Sequence, residues 1–220
     1  MKQLRPVTAS LRWNQDTVLS ATIRTLSHLV PGCLVIYAST PSGRGAQSCL
    51  ALVLLRALGK LDARWCFPHA EETLTLQKGT LGKPCLFLDH RKGPSVSFSH
   101  GKGRLWGAMS SKGRVGIDVA YPEEFAEGYP FARAFRPEEL EFAGALCRND
   151  TARGAALIWS AKEAAVKATG AGFNRFDPLG VRVAAPFSKE QGFLFDVLAD
   201  RPITAWAKTE DPGWLAVAVA

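Results

Sequence analysis

Trp159, Glu163 and Lys167 recur at intervals of four, a spacing that puts all three side chains on one face of a helix. An isolated Glu-x-x-x-Lys is ordinarily a solvated ion pair worth about 0.2–0.5 kcal/mol. A tryptophan on the same stripe argues for partial burial, where an acid and a base are costly unless they serve a ligand, a metal or a counter-charge. Both readings stand on spacing alone. Asp118 poses the same question, because it sits in the apolar run Val115–Val119 and a buried carboxylate must be paired, hydrogen-bonded or bound to a cation. Together, Asp118 and Glu163 offer the hard oxygen ligands that suit Mg²⁺, which keeps waters and takes one or two carboxylates plus phosphate oxygens.

Basic residues lie in glycine turns at Gly43-Arg44-Gly45 and Gly101-Lys102-Gly103, where backbone N–H groups and a cation can meet an anion. Many surface turns share that composition, so each is weak evidence by itself. Ser99-His100 closes a predicted strand just before the second turn and brings a hydroxyl and an imidazole within reach of a phosphate. A serine-hydrolase reading of the pair fails, because there is no Gly-x-Ser-x-Gly and adjacent strand residues point to opposite faces.

These residues need elements to hold them. Apolar periodicity predicts a helix over about 16–29, a buried strand over 33–38 and a helix over 46–58 stopped by Gly59. Residues 60–83 read as irregular and polar. Short strands follow at 84–88, 95–99, 105–110 and 115–119, the last stopped by Pro122. Pro137, with Glu138 and Glu139 behind it, opens a helix to Cys147, and Asn149-Asp150 starts a long one over 151–169 that ends at Gly170. Strands at 181–184, 193–198, 204–208 and 214–219 finish the chain, the last two joined by a turn at Glu210-Asp211-Pro212-Gly213. Trp106, Trp206 and Trp214 sit near strands and are read as core.

At 220 residues the chain holds one large domain or two small lobes, and at 47% hydrophobic and 21% charged it is not disordered. A net charge of +7, spread without a basic tail, favours anionic partners: nucleic acid, phosphorylated ligands or acidic proteins. Five cysteines at irregular spacing fit neither a disulfide framework nor a zinc knuckle. Without a signal-peptide core or a run of about 18 apolar residues, the expected address is cytoplasmic, with no membrane role.

In order, Gly82-Lys83-Pro84, Ser97-Phe98-Ser99-His100, Gly116-Ile117-Asp118-Val119, Phe135-Arg136-Pro137-Glu138-Glu139 and Trp159-Ser160-Ala161-Lys162-Glu163-Ala164-Ala165-Val166-Lys167-Ala168 resemble the 4′-phosphopantetheinyl transferase superfamily. Their spacing is similar to its larger, monomeric surfactin-synthetase-activator branch. The resemblance implies an α+β fold, a pseudo-dimer of two similar lobes, each a small antiparallel sheet packed with helices. The change-over near residue 110 sets the lobes at 1–110 and 111–220, the second carrying most metal and catalytic residues. It implies transfer of the phosphopantetheine arm of coenzyme A to a serine of an acyl or peptidyl carrier protein, with release of adenosine 3′,5′-bisphosphate.

By the same resemblance Asp118 and Glu163 are the Mg²⁺ ligands, Glu139 the base, with Glu138 its neighbour and competitor, and Lys167 the cation that neutralises the pyrophosphate. Arg44, Lys83, Ser99, His100 and Lys167 are coenzyme A ligands. One departure stands out: where the family pattern often runs Gly-Ile-Asp-x-Glu, with the glutamate a third metal ligand, this chain has Ala120, leaving that position to water. The rival reading is a non-catalytic basic module for an acidic protein or nucleic acid, which leaves the Trp-x-x-Lys-Glu block unexplained.

Overall fold

The computed structural model describes residues 22–66, 74–79, 81–173 and 175–220. Its strands are β1 (Arg24–Leu26), β2 (Val35–Pro41), β3 (Leu74–Lys78), β4 (Pro84–Leu88), β5 (Arg91–Lys92), β6 (Ser95–Gly101), β7 (Arg104–Ser110), β8 (Val115–Ala120), β9 (Arg182–Val183), β10 (Phe187–Lys189), β11 (Gly192–Leu198), β12 (Pro202–Glu210) and β13 (Gly213–Val219). Helices α1 (Ala46–Leu61), α2 (Pro137–Leu146) and α3 (Thr151–Thr169) complete it, with 3₁₀ turns at Ala63–Trp65, Pro122–Phe125 and Phe131–Arg133.

The fold is α+β. One antiparallel sheet runs β1–β2–β7–β6, and a second runs β10–β11–β12–β13–β8 with β9 also pairing β11. The connectivity is the same twice. In the first sheet β2 leads through α1 to β6 and β7, which lie in the order β2–β7–β6; in the second, β8 leads through α3 to β12 and β13, in the order β8–β13–β12.

Strand alternation explains the layering, since successive side chains point to opposite faces. Val115, Ile117 and Val119 of β8 join Tyr37, Trp106, Leu215 and Val217 in a core between the two sheets. Ile36, Ala38 and Met109, on the opposite face of the first sheet, pack with Leu50, Leu54 and Leu58 of α1. Ala120 and Ala216, on the other face of the second sheet, pack with Ala161, Ala164 and Ala168 of α3. The order is helix, sheet, sheet, helix.

Alanine dominates the inner face of α3 because the helix lies almost on β8. A Cβ added to Gly116 would stand 1.9 Å from the Ala164 carbonyl oxygen and 2.6 Å from the Ala168 nitrogen, so only glycine fits there. Local signals fix the helix ends: the Asp150 side chain accepts from the Arg153 amide at 2.9 Å, and Gly170 closes the other end at φ 88°.

β6 and β8 are the outer strands of their sheets and meet through serines. The hydroxyls of Ser95, Ser97 and Ser99, alternate residues on one face of β6, accept from the amides of Val115 (3.1 Å), Ile117 (3.2 Å) and Val119 (3.3 Å). Hydroxyls and amides match in the same order, so the strands run side by side in one direction. Side chains, not a backbone ladder, satisfy β8's outward edge.

Three sequence expectations need correction. The helix over 16–29 is not formed in its described part, where Arg24–Leu26 pairs with β2 as a strand; residues 16–21 lie outside the described residues. Gly59 does not stop α1: it lies within the helix because a Cβ there would come 2.6 Å from the Trp65 carbonyl oxygen of the returning chain. The stretch 60–83 is not wholly irregular, since β3 pairs antiparallel with β4 and buries Leu74 against α1's core.

Candidate active site

Asp118 is carried into the molecule by β8 and faces α3, only 6% exposed. Its Oδ1 accepts from the Ser99 hydroxyl at 2.9 Å and from Lys167 Nζ at 2.6 Å. Lys167 also donates to the Ile117 carbonyl at 3.3 Å, and Glu163, one turn earlier on α3, lies 4.0 Å from the same ammonium. The structure thus brings together Asp118, Glu163, Lys167 and Ser99.

Two carboxylates share one ammonium in a largely dry setting, and their acidities report it. Burial pushes the Glu163 carboxyl up to about 7, with the Asp118 charge adding to the rise and Lys167 opposing it. Burial likewise raises Asp118, against the pull of Lys167 and Ser99. An additional cation would relieve both groups. Among the described residues no cluster of three or more His, Cys, Asp or Glu is built to hold a metal. A pair of carboxylates nonetheless suits Mg²⁺, which keeps waters and shares its shell with phosphate oxygens. Ala120 lies on the same face of β8 but is sealed in the apolar core beside Trp214, its partner on β13.

Lys83 reaches α3 from the loop before β4, where its Nζ donates to the Lys167 carbonyl at 3.2 Å and meets that of Ala168 at 3.5 Å. Arg114 Nη1 donates to the next carbonyl, Thr169, at 2.5 Å. Both cations thus sit at the carbonyl end of the helix, as its dipole favours. With Lys92, Lys112, Thr169 and Gly170 they line a cleft of about 420 Å³ that has no carboxylate among the described residues of its wall. Burial pushes the Lys83 ammonium down to about 8, and the charge of Arg114 adds to the fall.

Arg44 and His100 stand elsewhere. Both are exposed, and the Ser42 amide donates to the Gly103 carbonyl at 2.8 Å, drawing the turn of Arg44 against the turn that follows His100. That end of β6 is five residues from Ser95, which lines the Lys83 cleft, or about 17 Å at the usual strand rise. Of the expected coenzyme A ligands, Lys83 lies on one side and Arg44 and His100 on another, while Lys167 sits between the carboxylates and Ser99 is buried and bonded to Asp118.

Glu139 is not brought to this cluster. It is 1% exposed, with Oε2 2.7 Å from Lys162 Nζ and accepting from the Arg136 amide at 2.9 Å, while Oε1 accepts from the Val183 amide at 2.8 Å. Lys162 also donates to the carbonyls of Ala134 (2.9 Å) and Pro178 (3.0 Å). A carboxylate so enclosed has no approach for a substrate hydroxyl. In this structure Glu139 pins α2, α3 and β9 together, about Lys162 and the Val183 amide. Glu138, its neighbour, points to solvent at the start of α2.

From sequence alone Lys162 and Arg114 had no role of their own, and the Ser99–Asp118 bond was not foretold. The available signals were the placement of Lys162 directly before Glu163 and the alternation Ser95-x-Ser97-x-Ser99. Trp106, Trp206 and Trp214 are buried, as core residues should be.

Residues 114–219 match the 4′-phosphopantetheinyl transferase superfamily. That segment holds Asp118, Glu139, Glu163 and Lys167, while Lys83, Ser99 and His100 lie before it. No curated protein matches the chain. No helix among the described residues is long and apolar enough to cross a membrane.

Proposed function

We propose that this protein is a Mg²⁺-dependent 4′-phosphopantetheinyl transferase of the larger, two-lobe kind, with its lobes meeting between β7 and β8. It moves the phosphopantetheine arm of coenzyme A to a serine of an acyl or peptidyl carrier protein. The observation that carries the reading is the Asp118–Lys167–Glu163 constellation inside the segment that matches the superfamily.

In the reaction the carrier serine oxygen attacks the phosphorus bearing the pantetheine arm. The bond from that phosphorus to the bridging oxygen breaks, and adenosine 3′,5′-bisphosphate leaves with its electron pair. Asp118 and Glu163 would hold the Mg²⁺, which when bound neutralises pyrophosphate charge. Lys167, now engaged by the two carboxylates, supplies a second positive charge to the same oxygens. The serine proton goes to a carboxylate that solvent can reach; of the two expected at the start of α2, Glu138 is exposed and Glu139 is enclosed. Lys83 and Arg44 would orient the remaining phosphates, with His100 beside Arg44. Catalysis then rests on positioning and charge neutralisation without a covalent enzyme intermediate.

Free thiols at all five cysteines are in keeping with a reducing cytoplasm. A purely binding module would leave a buried acid–base cluster without work.

The test is intact-mass spectrometry of an apo carrier protein incubated with this protein, coenzyme A and Mg²⁺, beside a chelated control. The expected result is a gain of one phosphopantetheine group that disappears on chelation and in Asp118→Ala and Glu163→Ala. No gain on fatty-acid, polyketide and peptide-synthesis carriers, where a known transferase succeeds, overturns the reading.

A further inference from the structure

Ser99 combines two bonds that no other residue of the ladder makes. Its hydroxyl accepts from the Val119 amide at 3.3 Å and donates its single proton to Asp118 Oδ1 at 2.9 Å. Ser95 and Ser97 accept from β8 in the same way. Ser99 alone passes the contact on to a carboxylate. It is 6% exposed, so its proton is committed inside the protein.

Both of these protein donors, Ser99 and Lys167, meet the same oxygen of Asp118, and they come from different parts of the fold, β6 and α3. Two donors converging on one oxygen fix the rotation of the carboxylate and direct its second oxygen away from them. A partner that orients a metal-ligating group in this way typically governs metal affinity or activity by about 10- to 100-fold.

We propose that Ser99 is a positioning residue for the cation site, setting the Asp118 carboxylate across the β6–β8 seam, and not a ligand of coenzyme A phosphate. The inference rests on the transferase reading for its cation but concerns a contact internal to this chain.

The experiment compares Ser99→Ala, Ser99→Thr and Ser97→Ala with the wild-type chain, measuring Mn²⁺ affinity by electron paramagnetic resonance of the free ion in the absence of coenzyme A. Ser97→Ala removes an equivalent seam bond without touching Asp118, so it controls for loosening of the fold, and thermal midpoints are read on every variant. The expected result is similar midpoints for Ser97→Ala and Ser99→Ala, Mn²⁺ affinity about 10-fold weaker or more in Ser99→Ala alone, and recovery in Ser99→Thr. A parallel titration with coenzyme A under chelation is expected to give the same affinity for wild type and Ser99→Ala.

Weaker coenzyme A binding with unchanged Mn²⁺ affinity in Ser99→Ala overturns the proposal and restores Ser99 as a phosphate ligand. Equal loss of Mn²⁺ affinity in Ser97→Ala and Ser99→Ala overturns it in favour of a purely structural seam, and a wild-type chain that binds no Mn²⁺ overturns it outright. Mn²⁺ binding with the expected pattern but no transfer to any carrier supports the positioning role and removes only the transferase reading.

Discussion

Lys83 is half-buried near Arg114, with its ammonium depressed to about 8 from an ordinary 10.5. The unfolded chain therefore holds this proton more tightly than the folded one between those two values, so stability contributed at this site rises as pH climbs through that window. Lys83→Met is expected to stabilise the unliganded protein at pH 7, by on the order of 1–3 kcal/mol, and to lose that advantage near pH 10; urea denaturation at the two pH values checks it. An anion entering the cleft reverses the balance, because it favours the charged form. Coenzyme A binding at pH 8.5 is expected to take up a fraction of a proton, seen as a dependence of calorimetric heat on the ionisation enthalpy of the buffer. Lys83→Met is expected to abolish that uptake.

At the scale of elements, the Glu139–Lys162 pair decides how α2 and α3 are joined. Removing one member leaves a buried charge alone, so Glu139→Ala is expected to cost about 3–5 kcal/mol in denaturant unfolding. The pair with Lys162→Met is expected to lose less than the two single losses combined. Gly116→Ala is expected to cost about 3 kcal/mol or more, since its methyl would enter the space of the Ala164 carbonyl and lever α3, with Glu163 and Lys167, away from Asp118. Both elements were partly legible in the sequence. The bounds of α3 were readable because Asp150 and Gly170 write the caps into the chain. The burial of Glu139 beside Lys162 was not, because its place after Phe135 does not reveal which way its side chain points. Gly59 misled for a tertiary reason: the glycine answers a backbone arriving from Trp65, which no local pattern reports. Ser99 and Asp118 could each be flagged, but 19 residues separate them and the seam that joins them has no signature beyond alternation.

For the whole molecule, the core between the sheets draws on both of them, with Tyr37 and Trp106 from one and Ile117, Leu215 and Val217 from the other. Neither sheet can expose that surface cheaply, so thermal unfolding followed by near- and far-ultraviolet circular dichroism is expected to give coincident single transitions. Separated transitions would show the sheets to be independent. The recurrence of strand, helix and strands about residue 110 was legible in the sequence, but the order of strands within each sheet was not, because side-by-side letters of the two halves do not repeat. The seam has one more consequence. Ser99 and Lys167 approach Asp118 from parts of the fold far apart in sequence, yet both belong to a single covalent chain, so their mutual concentration is set by that chain and not by the solution. Dilution cannot dismantle the cluster, and each molecule carries a complete one however scarce the protein is.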